Sequence, residues 1–365
     1  MVSEFVYRQP VEIRFGRGKL AELPELLAGR DLHRGLIVCG RHFAPMAKQM
    51  VEQNCGMTAV YSDIQLEPQL SGVEEAVRLA RKCDADCVIG IGGGSAMDTA
   101  KNVAAVAPAD ADALVYFNGD RPLPERGLPI IAVPTTSGTG SEVTQVSVIS
   151  HGATKRTINN PVFMPAVALV DPDLSDSVPP RVVMCTGLDA LAHALEGYWS
   201  KNHQPISDLM AVEAVRLVLE NLENAWRDPD DRAAHERMAY AALLGGLSFA
   251  MPKTAGCHAC SYPICEHFHV SHGEACAFTL DSFVRVNADE RLEELCRRTG
   301  IGDTVRLAGW INRMKELAGL PMKLSQLGEA DTVRLARECA AHPLMNNNPV
   351  PMDEAALREL LEALR

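Results

Sequence analysis

The sequence predicts an α/β N-terminal half followed by an all-α C-terminal half. Three observations predict it. Short runs of branched apolar residues recur up to about residue 170 and alternate with amphipathic stretches, the pattern of strands and helices built around a parallel sheet. After the Pro179-Pro180 pair these runs give way to long Ala/Leu/Glu/Arg-rich helical stretches, such as 208–222, 235–250, 290–298 and 354–364. The length, 365 residues, is too great for one small core. Two domains are therefore expected, 1–180 and 181–365.

In chain order, residues 5–15 alternate, with Val6, Val11, Ile13 and Phe15 apolar, and read as a strand pair closing on Gly16-Arg17-Gly18. A helix is expected over 19–27. Residues 35–39 form a buried-strand pattern, followed by Gly40-Arg41-His42 and a helix reaching Val51. A strand at 58–61 precedes an amphipathic helix at 71–82, whose apolar face is Val73, Ala76, Val77 and Ala80. The strand at 87–91 runs directly into Gly92-Gly93-Gly94-Ser95, and a helix follows over 96–106. A further strand at 129–133 ends in Pro134-Thr135-Thr136-Ser137-Gly138-Thr139-Gly140-Ser141. Residues 143–150 and 167–170 are the last strands expected.

Composition excludes several function classes. A formal net charge of −12 with no Lys/Arg stripe argues against nucleic acid and anionic membrane as partners. The stretch MVSEFVYRQPVEIRF lacks the basic and apolar regions of a secretory signal. The longest apolar runs are far too short to span a bilayer. Eleven cysteines without regular spacing read as reduced thiols rather than a disulfide framework, so a cytoplasmic location is expected.

Two loops point to a dinucleotide. Glycines at 92–94 let the backbone approach a ligand closely, and the helix that follows offers unpaired N–H groups to a phosphate. The second loop, 135–141, also follows a strand and concentrates hydroxyls and glycines at its C-terminal end, the edge where open parallel sheets bind ligands. The pyrophosphate is expected on Gly93, Gly94 and Ser95, with the rest of the cofactor at Thr135, Thr136 and Thr139. Ordinary turn-capping by those hydroxyls is the alternative. After the strand at 35–39 there is no acidic residue to bind a ribose 2′-hydroxyl. Gly40 leaves room, and Arg41 or His42 can pair with a phosphate, which favours NADP(H) over NAD(H).

The second half carries the metal chemistry. Asp189 and His193 stand four residues apart in a helical pattern, so both side chains lie on one face, one turn apart. An exposed or capping pair is the alternative. His258 and His272 lie in a later Gly/His/Cys-rich segment, and their 14-residue spacing identifies no site by itself. One Asp and three His make an N/O donor set suited to Fe2+ or Zn2+. Cys257-x2-Cys260 suggests half of a zinc site or a redox pair, but no second CxxC follows and the βαβ context is missing. Cys257, Cys260 and Cys265 are therefore read as packing residues. His267 and His269 are further histidines of the same neighbourhood.

In combination these motifs resemble those of the iron-containing (group III, metal-dependent) alcohol dehydrogenases, which share the dehydroquinate synthase-like fold. The resemblance spans nearly the whole chain. It rests on Phe15-Gly16-Arg17-Gly18, the run from Gly92 to Lys101, the run from Pro134 to Thr144, Asp171-Pro172, the run from Thr186 to Glu196, and Ser271-His272-Gly273. It implies a Rossmann-like N-terminal domain, a helical C-terminal domain, an active site in the cleft between them, and a homodimer. It implies that Asp189, His193, His258 and His272 are metal ligands, Fe2+ or Zn2+ being the ion. Gly93, Gly94 and Ser95 fall on the pyrophosphate loop. Asp98 of the same motif, Thr135, Thr136, Thr139 and Lys155 fall on cofactor-contacting positions. Where many members carry a further His four residues after the third ligand, near the nicotinamide, this chain has Tyr262, a candidate substitute for the proton relay, so the catalytic candidates are Tyr262 and His272. The position often held by Asp in NAD-preferring members is Gly40. The implied activity is reduction of a small aldehyde or oxidation of the alcohol, by hydride transfer to or from nicotinamide C4. The alternative is a lyase of the same fold that uses the dinucleotide transiently.

Overall fold

A computed structural model of the chain describes residues 4–365 other than 54, 66 and 153, so the first three residues of the stretch read for a secretory signal lie outside the described residues. Six parallel strands form one sheet. In chain order the N-terminal elements are β1 (Glu12–Phe15), α1 (Leu23–Ala28), β2 (Gly35–Cys39), α2 (Ala44–Glu52), β3 (Met57–Tyr61), α3 (Leu70–Lys82), β4 (Cys87–Gly92), α4 (Gly94–Val106), α5 (Ala113–Asn118), β5 (Ile130–Pro134), β6 (Val146–His151), β7 (Thr154–Asn159) and β8 (Val167–Val170). The sheet order is β1-β8-β5-β4-β2-β3, and β6 and β7 pair separately as an antiparallel hairpin.

The inner strands β2, β4, β5 and β8 are buried on both faces because helices cover both. Side chains alternate along each strand. Leu36, Val38, Val88 and Ile130 pack with Val73, Val77 and Val103 of α3 and α4. The intervening Ile37, Cys39, Ile89, Ile91 and Val133 pack with Leu26, Leu27 and Ala47 of α1 and α2. The sheet order reverses between β2 and β4, since β3 lies outside β2 while β5, β8 and β1 extend beyond β4. Ligands of such sheets bind at the carboxyl ends of the strands on either side of that reversal. Here those ends lead into Gly40 and into Gly92–Gly94.

Three expectations differ from the structure. Residues 5–15 give one strand, β1, whose partner is β8 in parallel, and the residues before Val11 stay outside the sheet. The expected strand over 143–150 is the first arm of the β6–β7 hairpin. Its second arm was missed because Thr154–Asn159 is mostly polar and exposed, so it shows no buried face. The helix expected over 19–27 is a 3-10 turn, Lys19–Glu22, followed by α1, whose second residue is Pro24.

The remaining helices are α6 (Pro180–Trp199), α7 (Pro205–Arg227), α8 (Arg232–Phe249), α9 (Gly256–Phe268), α10 (His272–Val286), α11 (Glu290–Arg298), α12 (Thr304–Leu317), α13 (Leu324–Leu327), α14 (Thr332–Ala341) and α15 (Glu354–Ala363). The chain divides into two compact units. One comprises Gln9–Thr136 and Ser141–Ser175. The other comprises, among the described residues, 4–8, Ser137–Gly140 and Asp176–Arg365. Within the helical unit α6 is buried all round from Gly187 onward, which makes it the central helix. Glycines let its neighbours close on it. A Cβ at Gly187 would stand 2.3 Å from Leu222 of α7, and one at Gly197 would stand 2.9 Å from the Ser248 carbonyl of α8.

The tightest such approach joins α9 to α10. A Cβ at Gly256 would stand 2.1 Å from the Phe283 ring. Gly256→Ala is therefore expected to destabilise the protein by about 1–3 kcal/mol through overpacking, seen as a lower thermal midpoint. The double variant Gly256→Ala/Phe283→Leu should recover much of that loss. An unchanged midpoint in the single variant would contradict the packing described.

Candidate active site

The helical unit brings the four expected metal ligands together. Asp189 and His193 project from α6 one turn apart, with His193 Nδ1 3.8 Å from Asp189 Oδ1. His258, in the first turn of α9, places Nε2 3.6 Å from Asp189 Oδ1, and His272, the first residue of α10, places Nε2 3.9 Å from it. Asp189, His193 and His258 are buried, whereas the His272 side chain is 38% exposed. The approach of α10 to α6 depends on Gly273: a Cβ there would stand 2.4 Å from the Cys185 carbonyl oxygen.

The hydrogen bonds fix which ring nitrogens face the centre. His193 Nδ1 lies 3.2 Å from the Gly138 carbonyl, which can only accept, so Nδ1 carries the proton. His258 Nδ1 donates in the same way to Glu196 Oε2. Both Nε2 atoms are left as lone-pair donors, yet they lie 2.9 Å from each other. At that distance a proton bridges them as an N–H···N hydrogen bond, and a metal ion held by both rings would take that proton's place. Beside them the buried Asp189 Oδ1 has no hydrogen-bond partner. An unpartnered buried carboxylate oxygen is costly, and a cation satisfies it. The residues present thus fit a divalent ion.

The charges packed together here shift one another's titration. Burial works to raise the Asp189 carboxyl, but His193, His258 and His272 hold it well below the usual carboxylate range. Burial pushes the His193 imidazole down to about 4, against the pull of Asp189. His258 is buried too, which disfavours its charge, but Cys276, Glu196 and Asp189 raise it well above the ordinary value.

Two residues that sequence reasoning did not assign complete the centre. Glu196 is fully buried, its Oε1 accepting the Cys257 N–H at 2.6 Å while Oε2 accepts from His258. It joins the start of α9 to α6 and fixes the His258 ring, as carboxylates behind metal-binding histidines do. The signal was present: Asp189, His193 and Glu196 recur at i, i+4 and i+7, one helix face. Cys276, one turn after His272, is the other. The donor atoms of Asp189, His258, His272 and Cys276 all lie within 4.8 Å of one another. Phe249 stacks on His193 with ring centroids 4.3 Å apart. Tyr262 meets His272 edge-on at 6.1 Å and stacks on His342 at 4.6 Å.

The residues expected at the dinucleotide lie in two places. Gly93 caps α4 and Gly94 and Ser95 open it, so its first-turn amides face outward from the end of β4. A Cβ at Gly93 would meet Thr136 Oγ1 at 3.3 Å, and Thr135 N–H donates to the Gly92 carbonyl at 3.0 Å. Thr139 clusters instead with the helical unit. Asp98 is buried and both its oxygens are engaged, Oδ1 by the Ser141 hydroxyl and Oδ2 by the Val148 N–H, each at 2.8 Å. Lys155 pairs with Glu67 at 2.7 Å. Gly40 opens onto free space, and Arg41 pairs with Asp63, which follows β3.

Similarity to known proteins agrees with this geometry. The profile described as iron-containing alcohol dehydrogenase matches residues 10–172, and that described as Fe-containing alcohol dehydrogenase family, C-terminal, matches residues 183–365. Long-chain-alcohol dehydrogenase 1 of Geobacillus thermodenitrificans (strain NG80-2) is 39% identical over 320 residues, 83% of this chain and 81% of its own. Sulfoacetaldehyde reductase of Bilophila wadsworthia (strain 3_1_6) is 31% identical over 327 residues, 83% of each chain. The crystal structure of sulfoacetaldehyde reductase from Bifidobacterium kashiwanohense in complex with NAD+ superposes with a TM-score of 0.94 at 37% identity, covering 99% of both chains.

If Glu196 fixes His258, Glu196→Gln should lower metal affinity by roughly 10–100-fold while leaving the helical content unchanged. Competition with a chelator of known affinity measures it. Undiminished affinity would show that the carboxylate only caps α9.

Proposed function

The chain belongs to the iron-containing alcohol dehydrogenase family, and from that premise we propose that Asp189, His193, His258 and His272 hold one divalent ion at which a small alcohol or aldehyde reacts. The protein is an oxidoreductase acting on alcohols. The observation that carries the assignment is the buried, unpartnered Asp189 Oδ1, with Nε2 of His258 at 3.6 Å and Nε2 of His272 at 3.9 Å. When bound, the ion supplies Lewis-acid polarisation of the substrate oxygen and the nicotinamide supplies or accepts the hydride.

The chain's own residues do the rest. Glu196 and the Gly138 carbonyl orient His258 and His193 so that no reorganisation is needed as charge develops on the oxygen. Phe249, stacked on His193, keeps water from that side of the ring. Tyr262, between His272 and His342, holds the proton exchanged with the substrate oxygen. Gly93, Gly94 and Ser95 take the pyrophosphate on the first turn of α4, and Thr135 and Thr136 line the neighbouring loop. Thr139 and Lys155 stay assigned to the cofactor. Asp98 acts one step back, holding Ser141 and β6 beside α4. Fe2+ fits the family's name and Zn2+ fits the donor set equally. We take the active form to be a homodimer in a reducing cytosol, the setting that suits eleven cysteines held as thiols. Among the described residues no helix is long and apolar enough to cross a membrane. Nothing in the relatives' printed activities, which are dehydrogenations and reductions, favours the lyase alternative.

We read the choice of dinucleotide from the surroundings of Arg41. The sequence favoured NADP(H) because no acid follows β2. Asp63 pairs with one guanidinium nitrogen of Arg41, and its negative charge there opposes a 2′-phosphate. Together with the NAD+ in the Bifidobacterium kashiwanohense structure, this supports NAD(H) as the better substrate here.

Two experiments test the proposal. His272→Ala should lower bound metal and kcat/KM for alcohol oxidation together, each by at least about 100-fold; persistence of both would refute the four-ligand site. Asp63→Ala frees Arg41 and should raise the NADPH-to-NADH ratio of kcat/KM by roughly tenfold. A fixed ratio would show that Arg41 does not read the ribose.

A further inference from the structure

We propose that Cys276 is a sulfur donor to the metal centre in the substrate-free protein, making it an N/O/S site rather than an N/O site. The proposal rests on the reading that Asp189, His193, His258 and His272 hold an ion, and adds a fifth residue of different chemistry. α10 presents His272 and Cys276 at i and i+4, one turn apart on one face, the same spacing by which α6 presents Asp189 and His193. Cys276 Sγ lies 3.6 Å from His272 Nε2. Its sulfur and the donor atoms of Asp189, His258 and His272 fall within 4.8 Å of one another.

The second observation is independent of the cysteine. Asp189 is 2% exposed and its Oδ1, aimed into this group, has no hydrogen-bond partner. A buried free cysteine ordinarily serves as a small apolar side chain. That description suits Cys257, Cys260 and Cys265, which share α9 with His258 yet do not join the donor group. Cys276 is fully buried, so access for oxidants or alkylating agents does not explain its position. Coordination is a simple exchange. A sulfur–metal bond forms, the S–H proton passes to solvent, and no oxidation state changes. One thiolate softens the donor set and shifts its preference from Fe2+ towards Zn2+ and Co2+.

Cobalt(II) loaded into the full-length protein, without substrate, reads the donors directly. The expected spectrum has visible d–d bands from the bound ion and a thiolate-to-cobalt charge-transfer band in the near ultraviolet. Cys276→Ser should keep the d–d bands and lose the charge-transfer band. A zinc-edge X-ray absorption spectrum of the unsubstituted protein needs no variant, and should contain one sulfur at about 2.3 Å. If the serine variant does not fold, that sulfur shell alone decides. Visible d–d bands without charge transfer, and a zinc shell of nitrogen and oxygen only, would overturn the sulfur donor and leave the four-ligand site standing. Failure of the unsubstituted protein to bind cobalt or zinc would overturn both.

Discussion

A carboxylate with no access to water sets the geometry of the candidate site. Glu196 lies in the last turn of α6, which is buried from Gly187 onward, and must find partners for both oxygens inside the fold. It finds them in consecutive residues of α9, the Cys257 N–H and the His258 ring. A slip of α9 by one residue would leave the carboxylate half-satisfied, so the register of α9 against α6 is fixed where His258 has to be placed. The same bond selects the tautomer. With Nδ1 committed to Glu196, only Nε2 remains to face Asp189 and His193. His193 is treated alike by a backbone carbonyl, and the two rings converge Nε2 to Nε2 at 2.9 Å.

Convergence of that kind requires helices that approach more closely than ordinary side chains allow. Gly273 lets α10 come against the Cys185 carbonyl of α6. Gly245 of α8 passes the Ala190 carbonyl, where a Cβ would stand 3.2 Å away. Gly138 has no room for a Cβ beside Thr186, where it would stand 2.8 Å from that side chain, and so its carbonyl reaches His193. The polar centre and the small residues are therefore one arrangement. The glycines set the separations, and the carboxylate and carbonyl set the orientation of the rings within them.

Much of the fold was legible in the sequence because buried parallel strands are apolar on both faces and stand out as continuous runs. Thr154–Asn159 was not legible, because an exposed strand has no buried face to leave a pattern. At the site, the spacing of Asp189 and His193 was readable, whereas His258 and His272 became partners only through the family motifs. Glu196 carried a positional signal, but a glutamate at i+7 on a helix looks the same whether it faces water or a core. The Gly138 carbonyl leaves no trace in a sequence, since every residue has one. Asp63 escaped notice for another reason. It lies 22 positions from Arg41, and only the pairing of β2 with β3 brings the two together. Asp98 shows the converse: a polar residue inside a cofactor motif whose oxygens are spent on Ser141 and Val148.

The central claim is that one ion binds in the helical unit, on Asp189 and three imidazole Nε2 atoms. Anomalous diffraction at the iron and zinc absorption edges, from crystals of the protein grown with either metal, tests it most directly. The account predicts a single strong peak per chain, at bonding distance from Asp189 and from Nε2 of His193, His258 and His272. A peak on the Cys257/Cys260 pair instead, or one whose neighbours exclude Asp189, would contradict it.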